Sequence, residues 1–144
     1  MKRGLLIIAL GVAFLILITW IGTFLISFIP YPATAQIQTR QAGPYQVTLH
    51  VDPNPPPITR SAMLSIQVLL NTSQQPISNA HVTLESGMET MDMGTDRTEA
   101  QSQGNGIYLA TVQFSMSGPW RVQVVISLPE GTKSFSAVFE VTAQ

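Results

Sequence analysis

Three thioethers fall within six positions of this chain, Met88, Met91 and Met93 in the stretch "SGMETMDMGTD". Thioether sulfur is a soft donor that selects Cu(I) over the hard cations. On an extended segment Met91 and Met93 would share a side, and Met88 would reach them if Gly87 or Gly94 lets the chain turn. Two more residues extend the candidate set. His81 lies on the outward face of the strand leading into the cluster, and imidazole also suits copper. Met116, in "FSMSGPW", precedes the strand that begins at Trp120 and would meet the cluster across one end of the fold. The expected metal ligands are therefore Met88, Met91, Met93, Met116 and His81. Each has an ordinary reading beside this one: methionine is an adaptable filler of core gaps, and His81 fits a solvent-facing strand position. Glu89, Thr90 and Asp92 between the thioethers make a poor core pattern, so packing and metal binding both stand at this stage.

Other chemistry is harder to place. The chain has no cysteine, which removes disulfides, CxxC redox chemistry, c-type haem attachment and cysteine-ligated iron–sulfur clusters. Its two histidines, His50 and His81, sit beside no recognisable nucleophile motif, and "GNG" at 104–106 reads as a turn rather than a phosphate loop. No enzyme is expected. Residues 36–144 carry eight acidic and five basic side chains, the opposite of a nucleic-acid footprint.

The elements that must position these residues show two regimes. From Gly4 to Ile29 there is no charged residue; as a helix this run spans roughly 39 Å, enough to cross a bilayer. Lys2 and Arg3 precede it, which by the positive-inside bias leaves the N-terminus in the cytoplasm and the rest of the chain outside. Small residues along the run, among them Gly11, Gly22 and Ser27, would let another helix approach. "ATA" at 33–35 has the form of a cleavage site, but the apolar run exceeds the about 7–15 residues of a signal h-region, so a retained anchor is expected. We assign 1–31 to a transmembrane anchor, 32–43 to a polar linker and 44–144 to an extracytoplasmic domain.

Beyond the linker, apolar residues alternate with polar ones, the period of half-buried strands. Tyr45, Val47, Leu49 and Val51 share one face, as do Leu64, Ile66, Val68 and Leu70. The same holds for Val82 and Leu84; for Tyr108, Ala110, Val112 and Phe114; for Trp120 to Leu128; and for Phe135, Ala137, Phe139 and Val141. Turn-forming runs such as "DPNPPP", "NTSQQPISN" and "LPEGTK" punctuate them. Six or seven short strands with inward apolar faces predict an all-β, immunoglobulin-like β-sandwich after one transmembrane α-helix.

The stretches "PISNAHVTLESGMETMDM", "GNGIYLATVQFSMSGPWRVQVVI" and a closing "FEV", behind an N-terminal anchor, resemble the FixH/YtkA-like family of membrane-anchored, extracytoplasmic Ig-like domains. The resemblance implies a non-enzymatic role in copper handling or in the assembly of a respiratory oxidase. It also implies a copper pump, an oxidase or subunits of an electron-transfer complex as partners, and copper as what the Met turn would hold. An alternative is an accessory structural subunit of a respiratory or photosynthetic electron-transfer complex, with the helix packed among membrane subunits.

Overall fold

A computed structural model describes residues 2–26, 31–131 and 133–144 of the chain. They form two separate compact units, divided between Pro30 and Tyr31. Ser27 and the rest of the expected anchor's 27–30 stretch lie outside the described residues.

The first unit is one helix, α1, Lys2–Ile26. Apolar side chains cover it on all sides, and Ile7–Leu25 has a mean hydropathy of 2.5 with none of it buried in protein. Such length and composition suit a membrane-spanning segment. Its few hydroxyls are satisfied internally: Thr19 Oγ1 donates to the Leu15 carbonyl at 2.8 Å and Thr23 Oγ1 to the Thr19 carbonyl at 3.1 Å. By length and composition α1 can span a membrane once.

The second unit is a two-sheet sandwich. Its strands are β1 (Ile37–Ala42), β2 (Tyr45–Asp52), β3 (Ala62–Leu70), β4 (His81–Met88), β5 (Asp96–Glu99), β6 (Gln101–Gly104), β7 (Ile107–Val112), β8 (Gly118–Ser127) and β9 (Ser134–Ala143). One sheet runs β1-β2-β3-β7-β6 and the other β5-β4-β8-β9. All pairings are antiparallel. The order β2-β3-β7-β6 against β4-β8-β9 is the ABED-against-CFG arrangement of immunoglobulin domains, with β5 added beside β4 and β1 beside β2.

The alternating residues read from the sequence fill the layer between the sheets. Val47, Leu49, Leu64, Ile66, Val68, Val82, Leu84, Val122, Val124, Ile126, Phe139 and Val141 are all buried, whereas Leu70, Leu128 and Phe135 close the edge of the core half-buried. Trp120 stands at one end of this layer. Its ring meets Phe114 edge-on at 5.3 Å and 78°, and its Nε1–H donates to the Met116 carbonyl at 2.9 Å.

Three strands were not anticipated. The segment expected as a linker at 32–43 contains β1, which pairs along β2 from Ile37↔His50 to Ala42↔Tyr45. β5 and β6 form a single run that changes sheets at Ala100, whose N–H donates to the Val82 carbonyl at 2.9 Å. All three lie at sheet edges and are polar, which blunts edge-to-edge pairing and erases the apolar alternation by which strands are recognised.

The two ends of the sandwich differ. At one end lie the β1–β2 turn, the β3–β4 loop, the β6–β7 turn and the β8–β9 loop. Here Gly43, Gly104 and Gly106 adopt positive φ, and the Tyr108 hydroxyl, within a buried side chain, donates to the Ile77 carbonyl at 2.7 Å and accepts from the Ala80 N–H at 3.1 Å. At the other end the chain enters from α1, and the entering segment is stitched down. Gln144 Nε2 donates to the Tyr31 carbonyl at 2.9 Å, Asn54 Nδ2 to the Thr34 carbonyl at 2.8 Å, and the Thr142 N–H to Thr34 Oγ1 at 3.2 Å.

The end that carries the β1–β2 and β6–β7 turns allows two tests. A Cβ on Gly106 would come 2.6 Å from the Val68 carbonyl oxygen, whereas one on Gly104 would meet nothing within 4 Å. Both have positive φ, so each alanine substitution costs about 1–2 kcal/mol for the left-handed backbone. Gly106→Ala is expected to cost clearly more, seen as a lower urea midpoint than Gly104→Ala. Burial raises the Tyr108 pKa above its ordinary value, opposed in part by its hydrogen bonds to Ala80 and Ser102. A raised folded-state pKa gives stability that is complete below the unfolded pKa and is lost as pH rises from there toward the folded one. Denaturation midpoints measured on either side of about pH 10 should therefore fall less for Tyr108→Phe than for the parent chain.

Candidate functional site

The methionine turn occupies the entry end. β4 carries its inward residues at Val82, Leu84 and Ser86, and Met88 continues that face, opposite Trp120 on β8. Met88 is accordingly half-buried and packs on the core; its methyl lies 3.3 Å from where a Cβ on Gly118 would stand. After Met88 the chain leaves the sheet. The Glu89 N–H still donates to the Pro119 carbonyl at 3.1 Å, and the Met93 N–H then donates to the Met91 carbonyl at 3.1 Å. The backbone thus folds tightly between Met91 and Met93. Both side chains are exposed, at 50% and 62%.

Gly87 makes the return path possible. A Cβ there would stand 3.3 Å from the Gly94 carbonyl oxygen and 3.7 Å from Thr95 Oγ1, so the turn folds back over the outer face of β4. Between turn and sheet lies an open cleft of about 380 Å³. Glu85, Arg121 and Gln123 line it from the sheet, and Met88, Glu89, Met91 and Asp92 from the turn. Of the three carboxylates here, Glu85 lies 3.8 Å from Arg97 Nε on β5, and Arg121 Nη2 reaches Glu89 Oε1 at 3.4 Å. Both partners are well exposed, and such pairs contribute only about 0–1 kcal/mol.

The structure therefore divides the expected ligand set. Met88, Met91 and Met93 belong to one turn, but Met88 sits on the inner face and the other two in solvent. Met116 lies in the loop before β8 at the same end, half-buried, its carbonyl engaged by Trp120. His81 does not join them. It opens β4 while Met88 closes it, and seven strand steps amount to roughly 23 Å. At the remote end His81 Nε2 lies 3.2 Å from Glu99 Oε1, both exposed. Among the described residues, no three of histidine, aspartate and glutamate are placed to hold a metal ion together. The donor chemistry left at the turn is thioether sulfur with carboxylates at its margin.

Sequence reading missed Arg121 and Gln123. They alternate outward on β8 as many surface residues do, and only the pairing Gly87↔Arg121 brings them under the turn. The structure also sets the ring of Tyr31 beside Gly118 at the entry end.

The fold and the turn define a class, a small immunoglobulin-like sandwich behind one apolar helix, with a methionine turn at the end of β4. The chain belongs to the YtkA-like family, whose model matches residues 39–125, more than half of its length. No curated protein and no solved structure matches it.

The division of the methionines makes a stability prediction. Met91→Ala and Met93→Ala, at exposed sites, should change the unfolding free energy by no more than about 0.5 kcal/mol. Met88→Ala removes packing beside Trp120 and should cost roughly 1–2 kcal/mol, less than the about 2–5 of a fully buried site. Urea titration of the three variants checks this ranking.

Proposed function

We propose that this protein is a non-enzymatic, single-pass membrane protein that holds Cu(I) at its methionine turn, outside the cytoplasm, in copper handling or oxidase assembly. The observation that carries the reading is the pair of exposed thioethers, Met91 and Met93, on a tight backbone turn next to a third at Met88. Methionine gains by burial, and a domain that leaves two of them in water on one turn forgoes that gain. Family membership supports the reading, as does the absence of cysteine, which in an oxidising compartment removes competing thiol oxidation.

The donor set fits a soft monovalent ion. Thioethers bind Cu(I) and are poor ligands for Mg²⁺ or Ca²⁺, which prefer oxygen. Copper is here a cargo rather than a resident cofactor. Met91 and Met93 would hold it, with Met88 closing the set from the rim of the core. A site this open suits exchange with a partner's ligands better than storage, since an incoming donor meets no wall. The acidic residues around the cleft would attract a cation to its mouth. Lys2 and Arg3, the first residues of α1, support the orientation, N-terminus inside.

Competition with bathocuproine disulfonate on the detergent-solubilised full chain tests the proposal. The parent should retain close to one equivalent of Cu(I), and a variant with Met88, Met91 and Met93 all changed to Leu should retain none while keeping its circular dichroism. Leucine nearly conserves the volume of Met88, so the fold should tolerate it. No retention by the parent chain would end the copper reading.

A further inference from the structure

The large apolar side chains that the sandwich leaves exposed are not scattered. Within residues 31–144 they are Tyr31, Ile37, Met63, Met91, Met93 and Val138. Val138 lies in the middle of β9. The other five all fall at the end where the chain enters. Met63, the second residue of β3, lies opposite Asp52, the last residue of β2. Ile37 begins β1 opposite His50. Met91 and Met93 follow the end of β4, and Tyr31 is held there by Gln144. Met63 belongs to one sheet and the methionine turn follows a strand of the other, so the apolar groups ring this end from both sides. Among the described residues, the opposite end exposes no large apolar side chain and carries loops such as 71–79 and 128–131.

The tether limits where this end can go. Residues 27–30 alone separate Ile26 from Tyr31, and five Cα steps reach at most roughly 18 Å. β9, which runs the length of the sandwich, measures roughly 30 Å over its ten residues. The hydrogen bonds from Gln144, Asn54 and Thr142 to residues 31–34 keep that stretch from acting as additional slack.

We propose that the entry end of the sandwich is a bilayer-contacting surface, on which Tyr31, Ile37, Met63, Met91 and Met93 rest at the lipid headgroup level. Aromatic and apolar side chains with a polar margin suit that layer, where Tyr in particular is enriched. The margin here is Asp52, Arg60 and Asp92, all exposed. The inference rests on α1 spanning the membrane and not on copper. Combined with the copper reading, it means that the turn meets its donor or acceptor at the membrane surface rather than out in the aqueous compartment.

The absence of native cysteine makes the test direct. Single-cysteine variants Met93→Cys, Met63→Cys, Ser73→Cys and Leu15→Cys of the full chain are labelled with bimane and placed in phosphatidylcholine nanodiscs containing headgroup or acyl-chain nitroxide lipids. Headgroup nitroxides are expected to remove most of the emission at positions 63 and 93 and little at position 73, with acyl-chain nitroxides quenching position 15. Inserting a long Gly/Ser spacer between residues 30 and 31 should lower the quenching at 63 and 93. Quenching at 73 equal to that at 63 and 93 overturns the proposal. So does quenching at 15 with none at 63 and 93, which would leave the anchor intact and point to a protein partner for this end. No quenching at 15 would overturn the anchor and this proposal together. Met63 and Met93 are exposed, and matching circular dichroism confirms that the labelled variants are folded.

Discussion

The two sheets are held together by one layer of interdigitated apolar side chains, because the chain has no cysteine with which to bridge them. Immunoglobulin domains commonly tie the two sheets with a disulfide through the core. Here β3 and β7 in one sheet face β4 and β8 in the other with Leu64, Ile66, Val124 and Ile126 fully buried between them. The layer must also be sealed along its sides. On one side, the β5–β6 run crosses from sheet to sheet at Ala100. On the other, β1 extends the first sheet and Gln38 Nε2 donates to the Glu140 carbonyl on β9 at 2.6 Å. With its inner faces consumed by packing and its sides closed, the domain has only its outer faces and its two ends for chemistry.

Those ends have been built from different materials. Positive-φ glycines occur at both, but the remote end relies on the phenol of Tyr108 satisfying Ile77 and Ala80 and on polar loops. The entry end uses side chains, Trp120 on Phe114 within the core and methionines around it. The first construction fixes loop shape at little apolar cost. The second leaves a rim of polarizable groups that adapt to whatever lies against them.

Much of this was legible in the sequence. The six alternating runs specified which residues face inward, since a strand's period of two leaves no freedom once one face is buried. β1, β5 and β6 were not legible. In "IQTRQA", "DRTE" and "QSQG" the only side chains that approach the core are short ones or fall between the strands, as Ala42 and Ala100 do. The methionine turn was visible as a break in the alternation. Its internal division was not, because it depends on the register Met88↔Trp120 and on Gly87 admitting the returning chain. The separation of His81 from the turn, in contrast, follows from the length of β4 alone.

The acidic residues within the turn bear on why its thioethers are not simply core residues that slipped out. A turn of methionines alone could close inward over Trp120. Glu89 and Asp92 prevent that, because burying an ionised carboxylate without a partner costs far more than burying a thioether gains. Glu89 is held instead on the outer face beside Arg121. With the carboxylates committed to water, Met91 and Met93 stay outside with them, about half of each side chain solvated. The free energy that burial would supply, on the order of 1 kcal/mol for each, is then withheld from folding and remains for whatever the turn meets. An apolar surface laid against the turn can draw on it without unfolding anything, since the core beneath is closed by Met88 and Trp120.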